Sequence, residues 1–299
     1  MKLGVNILNF GAGTSPDSLR GWARFAEEAG FAIATISDHV VLTPDVRAQY
    51  PPPFYDPFTT LAWLAGETDR IQLGTSAAIL PYRNPLLTAR IAANIDQFSG
   101  GRLVLGVSAG WSETEFAALG VPFQRRGAIA DEYLAAIKEL WAGEVASLRG
   151  RFVSFSEVAT GPMPLRRPHP PIWVGGSSAA AIRRAARFAD AWHPIDPRLP
   201  WLRDTGLPRM RAAAEAAGRP PPALCPRINL LLQPGDLDER ERRTGVGSLE
   251  QVLGDLDELA ELGAECVVLD TYPGRPEARR PAEEDWRMLE AVAARHNTG

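Results

Sequence analysis

The chain of 299 residues predicts a (β/α)8 barrel, an α/β fold of the TIM type, on three observations. Short apolar runs alternate with stretches of helical period along the whole length. Eight such runs can be placed, and strands separated by helices run parallel, with right-handed connections that put the helices outside the sheet. Eight units of that kind close into a barrel. The third observation weighs against the competing doubly wound open sheet. Gly11-Ala12-Gly13-Thr14, after the first run, lacks the third glycine and the later ribose-binding acid of a dinucleotide fingerprint.

The elements follow in order. Leu3 to Leu8 is a compact apolar strand. Ser15-Pro16-Asp17 supplies an N-cap and a first-turn proline, and Leu19, Trp22, Ala23 and Ala26 share one helical face up to a Gly30 cap. Ile33 to Ile36 is the second strand. A helix from Pro57 to Glu67 precedes the strand Ile71 to Thr75, and a helix from Pro85 to Phe98 precedes Leu103 to Val107. After a helix over Ile129 to Trp141 comes an insertion reading as a small hairpin, Ala146 to Leu148 against Phe152 to Phe155. The alternation resumes with Pro171 to Val174, a helix to Ala189 and a short strand at Ala191-Trp192. Arg227 to Leu232 and Cys266 to Asp270 are the last strands; Ser248 with Gln251 is a capping box, and a helix over Ala282 to Arg295 ends the chain. Arg198 to Pro222 reads as the sixth helix plus a cover over the pocket. The whole is expected to be one domain, 1–299.

Composition excludes several classes. The net charge is −4 and the 32 basic residues form no stripe, which argues against nucleic acid. Cys225 and Cys266 are far apart in sequence and lack metal-ligand spacing, which suits a reducing cytosol. The N-terminus reads as a strand rather than a signal peptide, and no apolar run is long enough to span a bilayer, so a cytoplasmic protein is expected. No HExxH, nucleophile elbow or P-loop lysine motif is present, and no metal is expected.

In such a barrel the loops after the strands form the active site. Those positions hold Asn9 and Phe10, Asp38 and His39, Thr75-Ser76-Ala77, then Ser108-Ala109-Gly110-Trp111 with Glu113 and Glu115 nearby, and finally His193. Strand five leads into Gly175-Gly176-Ser177-Ser178 and a helix. Two glycines let backbone approach a ligand, and the first N–H groups of a helix attract an anion, a phosphate above all. Arg183-Arg184 would add positive potential there. The plainer reading makes the glycines a tight turn only. Asp38-His39 is the sharpest pair, since imidazole exchanges a proton near neutral pH and a carboxylate can hold the ring. Its plainer reading has Asp38 cap a loop and His39 fill space.

Several segments in order resemble the bacterial luciferase-like monooxygenase superfamily, in its branch of oxidoreductases using the deazaflavin coenzyme F420. They are Phe31 to His39, Ile71 to Ser76, Gly106 to Trp111 and, most specific, Arg167 to Ser177. The resemblance runs from Leu3 to about Pro194 and more loosely beyond. It implies a (β/α)8 barrel with a flavin-like ring across the strand ends. It also implies a non-prolyl cis peptide at Ser76-Ala77 behind the ring, with Ala109, Gly110 and Trp111 among the cofactor contacts. Gly175, Gly176, Ser177 and Ser178 would hold the phosphate, Asp38 and His39 would lie beside the ring, and His39 would transfer the proton. Phe10 and Trp111 would shape an apolar substrate pocket, and Asn9 and His193 would bond polar groups of a small-molecule substrate. Sugar-phosphate dehydrogenases of that branch have a glutamate where this chain has Trp111 and a tryptophan where it has Thr43, so their acid–base scheme does not transfer whole. The expected activity is hydride transfer between reduced F420 and an organic substrate. The alternative is a monooxygenase using FMNH2, O2 and a separate flavin reductase, and a third reading is a barrel that only binds ligand. A homodimer is expected, as is common in that family.

Overall fold

The computed structural model describes residues 1–296. Its strands along the main sheet are β1 (Lys2–Ile7), β2 (Ile33–Ile36), β3 (Gln72–Thr75), β4 (Leu103–Ser108), β5 (Ile172–Gly175), β6 (Ala191–His193), β7 (Arg227–Asn229) and β8 (Cys266–Asp270). All pair in parallel, in the path β6-β5-β4-β3-β2-β1-β8-β7, and β6 pairs on its other side with Ala223–Leu224. The fold is therefore α/β, with a parallel sheet curled on itself. β2, β5 and β8 are buried at every position, as expected of strands covered on both faces.

The expectation of a continuous seventh strand, Arg227 to Leu232, is corrected. The stretch from 223 to 229 is broken at Pro226, which has no N–H to donate to a ladder. Its first part lies against β6 and its second against β8. Single parallel bridges, Ile195 with Arg227 and Leu224 with Ala264, span the seam instead of regular ladders. Leu231–Leu232 leaves the sheet to pair with Val246–Gly247.

The helices are α1 (Pro16–Glu28), α2 (Pro44–Gln49), α3 (Pro57–Leu64), α4 (Pro85–Phe98), α5 (Glu113–Ala118), α6 (Arg126–Ala142), α7 (Ala179–Phe188), α8 (Leu207–Ala216), α9 (Leu249–Glu261) and α10 (Ala282–His296). Ser15 and Ser248 each form a capping box at the start of α1 and α9. The insertion after α6 is a hairpin, Val145–Arg149 with Ser154–Ala159. Residues 199–206 wind through a π-helical turn into α8, which packs on α7 as the sixth outer helix. The short helices α2 and α5 carry no long apolar period and lie outside the expected alternation. No helix among the described residues is long and apolar enough to cross a membrane.

The main apolar core lies between sheet and helices, with Leu61, Leu73, Leu134 and Leu256 fully enclosed. A second cluster, including Ile33, Val104, Trp173 and Val268, joins residues of the strands themselves. Gly106 shows how tightly β4 meets the end of β3: a Cβ there would lie 1.8 Å from the Thr75 carbonyl oxygen. Only glycine fits, and Thr75 Oγ1 donates back to the Gly106 carbonyl.

Candidate active site

His39, just beyond β2, is buried in an aromatic box. Its ring stacks on Tyr50 at 5.2 Å between centroids and meets Phe54 and Trp111 edge to face at 5.6 and 5.7 Å. Nδ1 lies 2.7 Å from Oε2 of Glu115, at the start of α5. Glu115 also accepts from the Tyr82 hydroxyl and from the Val40 and Val41 N–H groups. Burial pushes its pKa up, but the bonds from His39 and those two N–H groups outweigh this and hold it below the usual value. An ionised carboxylate can only accept, so Nδ1 of His39 carries the proton and Nε2 is the nitrogen left for exchange. Glu113, the acid considered beside Trp111, is exposed on the same helix, and it is Glu115 that reaches the imidazole. Asp45 fastens this cover, accepting from Thr43, Ser112 and Thr114, which ties α2 to α5.

Asp38 points elsewhere. Arg83 grips its carboxylate with two bonds of 2.6 and 2.8 Å, and the Ile79 N–H donates a third. Burial raises the Asp38 pKa and Arg83 opposes the rise. Burial likewise weighs against the Arg83 charge, but Asp38 and Asp56 more than restore it. The expectation that the Asp38 carboxylate could hold the His39 ring is corrected: its oxygens are spent on Arg83 and the Ile79 N–H, anchoring the Leu80–Arg83 turn. Asn9 gives its amide N–H2 to the Ser37 and Tyr55 carbonyls, leaving Oδ1 buried without a donor. Phe10 is buried, stacked on Phe54 at 5.4 Å and edge-on to Tyr50 and Tyr272. Trp111 is 44% exposed, at the rim of the box.

The floor is a polar network centred on Ser76. The Ser76-Ala77 peptide is cis. His193 Nδ1 faces the Cys225 carbonyl and must donate to it, so its Nε2 accepts from the Ser76 hydroxyl at 2.8 Å. Arg227 donates to the Ser76 carbonyl at 2.7 Å and lies 3.4 Å from Ser37 Oγ, while its Nε bonds Asp270 at 3.0 Å. His193 is fully buried with both nitrogens engaged, so its expected bond to a polar substrate group is corrected to a role in holding Ser76. Burial pushes its pKa down to about 4, the Cys225 carbonyl opposing and Arg227 reinforcing the shift. An unfolded histidine titrates near 6.5. The stability from keeping His193 neutral is thus complete above about pH 6.5 and is lost as pH falls toward 4, a change on the order of 3 kcal/mol. Urea midpoints across that window should fall in the wild type and fall much less in His193→Gln; equal slopes would refute the assignment.

The turn after β5 lies on the same end of the sheet. Gly175 pairs in register with His193, and a Cβ built on it would sit 3.7 Å from the Ala77 Cβ. Gly176 has φ of +104°, and a Cβ there would come within 3.0 Å of the Ala181 Cβ. Ser178 caps α7 through the Ala181 N–H, while Ala179 and Ala180 have no intrahelical acceptor for theirs. Trp192 Nε1 holds the Gly176 carbonyl from behind at 2.9 Å. Ala109 and Gly110 follow β4, half-buried. The expected contribution of Arg184 is corrected: it is buried, paired with Asp131 and bonded to the Gly127 carbonyl, and so joins α7 to α6. Arg183 is exposed.

Set beside known proteins, the sequence matches the profile of the luciferase-like monooxygenase family over residues 1–243. The chain belongs to that family. It is 35% identical over 181 residues to the FMNH2-dependent dimethylsulfone monooxygenase of Pseudomonas putida, covering 59% of this chain and 48% of that protein. It thus spans about half the length of that relative. Its fold superposes on monooxygenase RslO1 of Streptomyces bottropensis with a TM-score of 0.81 at 24% identity, covering 98% of each chain. The coenzyme F420-dependent tetrahydromethanopterin reductase of Methanopyrus kandleri gives 0.79 at 18% identity, covering 98% and 97%. The proteins it is similar to include both an FMNH2-dependent and an F420-dependent enzyme.

Two features of this luciferase-like chain suit a ring carrying an anionic arm. Asn9 Oδ1 is a buried acceptor that a ligand donor would satisfy. The Gly175–Ser178 turn is a cradle that a side chain on Gly176 would crowd, next to exposed helix N–H groups. The residues fit. Arg83, Arg227, Asp270, Tyr50, Tyr82 and Tyr272 complete the site without having signalled themselves. Their elements are local, but key partners are distant in sequence: Glu115 lies 33 residues from Tyr82, Asp38 45 from Arg83 and Ser76 151 from Arg227.

Proposed function

We propose that the chain is an oxidoreductase transferring a hydride between reduced coenzyme F420 and a small organic substrate, with the curled sheet acting as a (β/α)8 barrel. The observation that carries this reading is the enclosed His39–Glu115 pair at the same strand ends as the Gly175–Ser178 turn. When bound, the deazaflavin supplies two-electron hydride chemistry, and the protein supplies orientation and proton handling. Gly175, Gly176, Ser177 and Ser178 would hold the phosphate, and Ser76-Ala77, backed by His193 and Arg227, would lie behind the ring, with Ala109, Gly110 and Trp111 alongside. His39 Nε2 would hold the proton given to, or taken from, the substrate heteroatom. Glu115 fixes the tautomer, and the aromatic box excludes water. A cytosolic homodimer remains part of the proposal.

A second reading is an FMNH2-dependent monooxygenase served by a separate reductase. The commitment of Arg184 to Asp131 favours it, because it removes one positive charge that the longer acidic arm of F420 would use. Titrating the purified protein with F420 and with FMN, followed by tryptophan quenching, separates the two. Saturable F420 binding, weakened tenfold or more in Gly176→Val, is expected. FMN binding without F420 binding overturns the first reading in favour of the second, and failure of both overturns each. Unchanged affinity in Gly176→Val would place the phosphate elsewhere.

A further inference from the structure

We propose that a cavity beside the His39 box is a subsite for the anionic end of an apolar organic acid, received by Arg279. The inference rests on the oxidoreductase reading and narrows its substrate class. The cavity, open to solvent on one side, offers about 670 Å³ between the loops after β1 and β8. Phe10, Tyr272, Pro51 and Pro281 give it apolar walls, and Arg279 lies among them. The Phe10 ring is common to cavity and box: it stacks on Phe54, which meets His39 edge to face. A molecule filling the cavity would therefore lie two aromatic rings, Phe10 and Phe54, away from His39.

Arg279 is set apart by its place: the half-buried Arg126 and Arg219 likewise make no ion pair among the described residues and bond only backbone carbonyls, but neither lines this cavity. The comparably shielded Arg83, Arg184, Arg227, Arg242 and Arg280 each face a carboxylate. Arg102 faces none, but it spends its whole fork on Ser99, Thr68, Ile71 and Ala65 oxygens. Arg279 makes no ion pair among the described residues and bonds only the Phe10 carbonyl and the Thr14 hydroxyl, both neutral. Its neighbour Arg280 is neutralised by Asp285. Glu277, also lining the cavity, is exposed, so its charge is solvated and screened. A partly buried guanidinium with unspent donors beside an apolar wall is complementary to a carboxylate on a hydrocarbon body.

The test is calorimetric titration of the full chain with hexanoate, its neutral isostere hexanamide, and acetate. Hexanoate should bind at least tenfold more tightly than either. Arg279→Gln should abolish the preference over hexanamide, Arg279→Lys should keep part of it, and Glu277→Gln should preserve or strengthen it. Equal binding of hexanoate and hexanamide by the wild type overturns the proposal, whatever the variants' stability. So does a preference that persists in Arg279→Gln, or acetate binding as tightly as hexanoate. Cofactor titration of the same preparations keeps the two claims apart. Loss of the hexanoate preference with cofactor binding intact refutes only the subsite. The preference without any cofactor binding refutes only the oxidoreductase reading.

Discussion

His39→Ala should keep cofactor affinity within about tenfold and slow turnover by about 10²-fold or more, the usual scale for a general acid–base group. The argument is geometric. Cofactor anchoring is assigned to the turn after β5 and to the Ser76 floor, neither of which bonds the imidazole. The imidazole is held instead by Glu115 and boxed by Tyr50, Phe54 and Trp111. Glu115→Gln gives a companion reading of the same site. An amide can still meet Nδ1–H but carries no charge to support the imidazole, so turnover should fall while cofactor affinity holds. Pre-steady-state rates and cofactor titrations on both variants check this. Turnover in His39→Ala within threefold of the wild type would remove His39 from the chemistry.

Arg227→Met is expected to cost about 3–5 kcal/mol of stability, because removing one partner of a buried ion pair strands the other charge. Asp270 has only 8% of its side chain exposed and its other bonds are to the Tyr272 N–H and, at 3.5 Å, to Asn6. Met fills the space but leaves Asp270 without its cation and the Ser76 carbonyl without its donor. Combining it with Asp270→Asn should return a large part of the loss, since the stranded charge is then gone. Urea unfolding of the two single variants and the double variant measures the coupling. A loss under 1 kcal/mol in Arg227→Met would show that the pair is not holding the interior.

What could be read without the structure was whatever is local or periodic. Apolar runs such as Ile33–Ile36 and Cys266–Asp270, the Ser248–Gln251 cap and the Gly175–Gly176 turn each declare themselves within a few residues. The strand-end rule then brought Asn9, His39, Ser76 and Trp111 to one end. Which of these groups bond one another was not legible. Asp38 and His39 are adjacent, yet one turns to Arg83 and the other to Glu115, partners 45 and 76 positions away. Arg184 looked free because Asp131 lies 53 residues earlier on a different helix. His193 was placed at a strand end with the other candidates, and nothing in the local sequence signals that Cys225 and Ser76 close over it.

The seam at Pro226 has a consequence for how the molecule breathes. Elsewhere the curled sheet is stitched by consecutive ladder bonds, but β6 and β7 are clasped by a few isolated ones. Local opening in such a sheet begins where the fewest bonds must part together. Those clasps border His193 and Arg227, the groups under Ser76. Any molecule resting on that platform would be secured while the seam stays clasped and would in turn make its opening rarer.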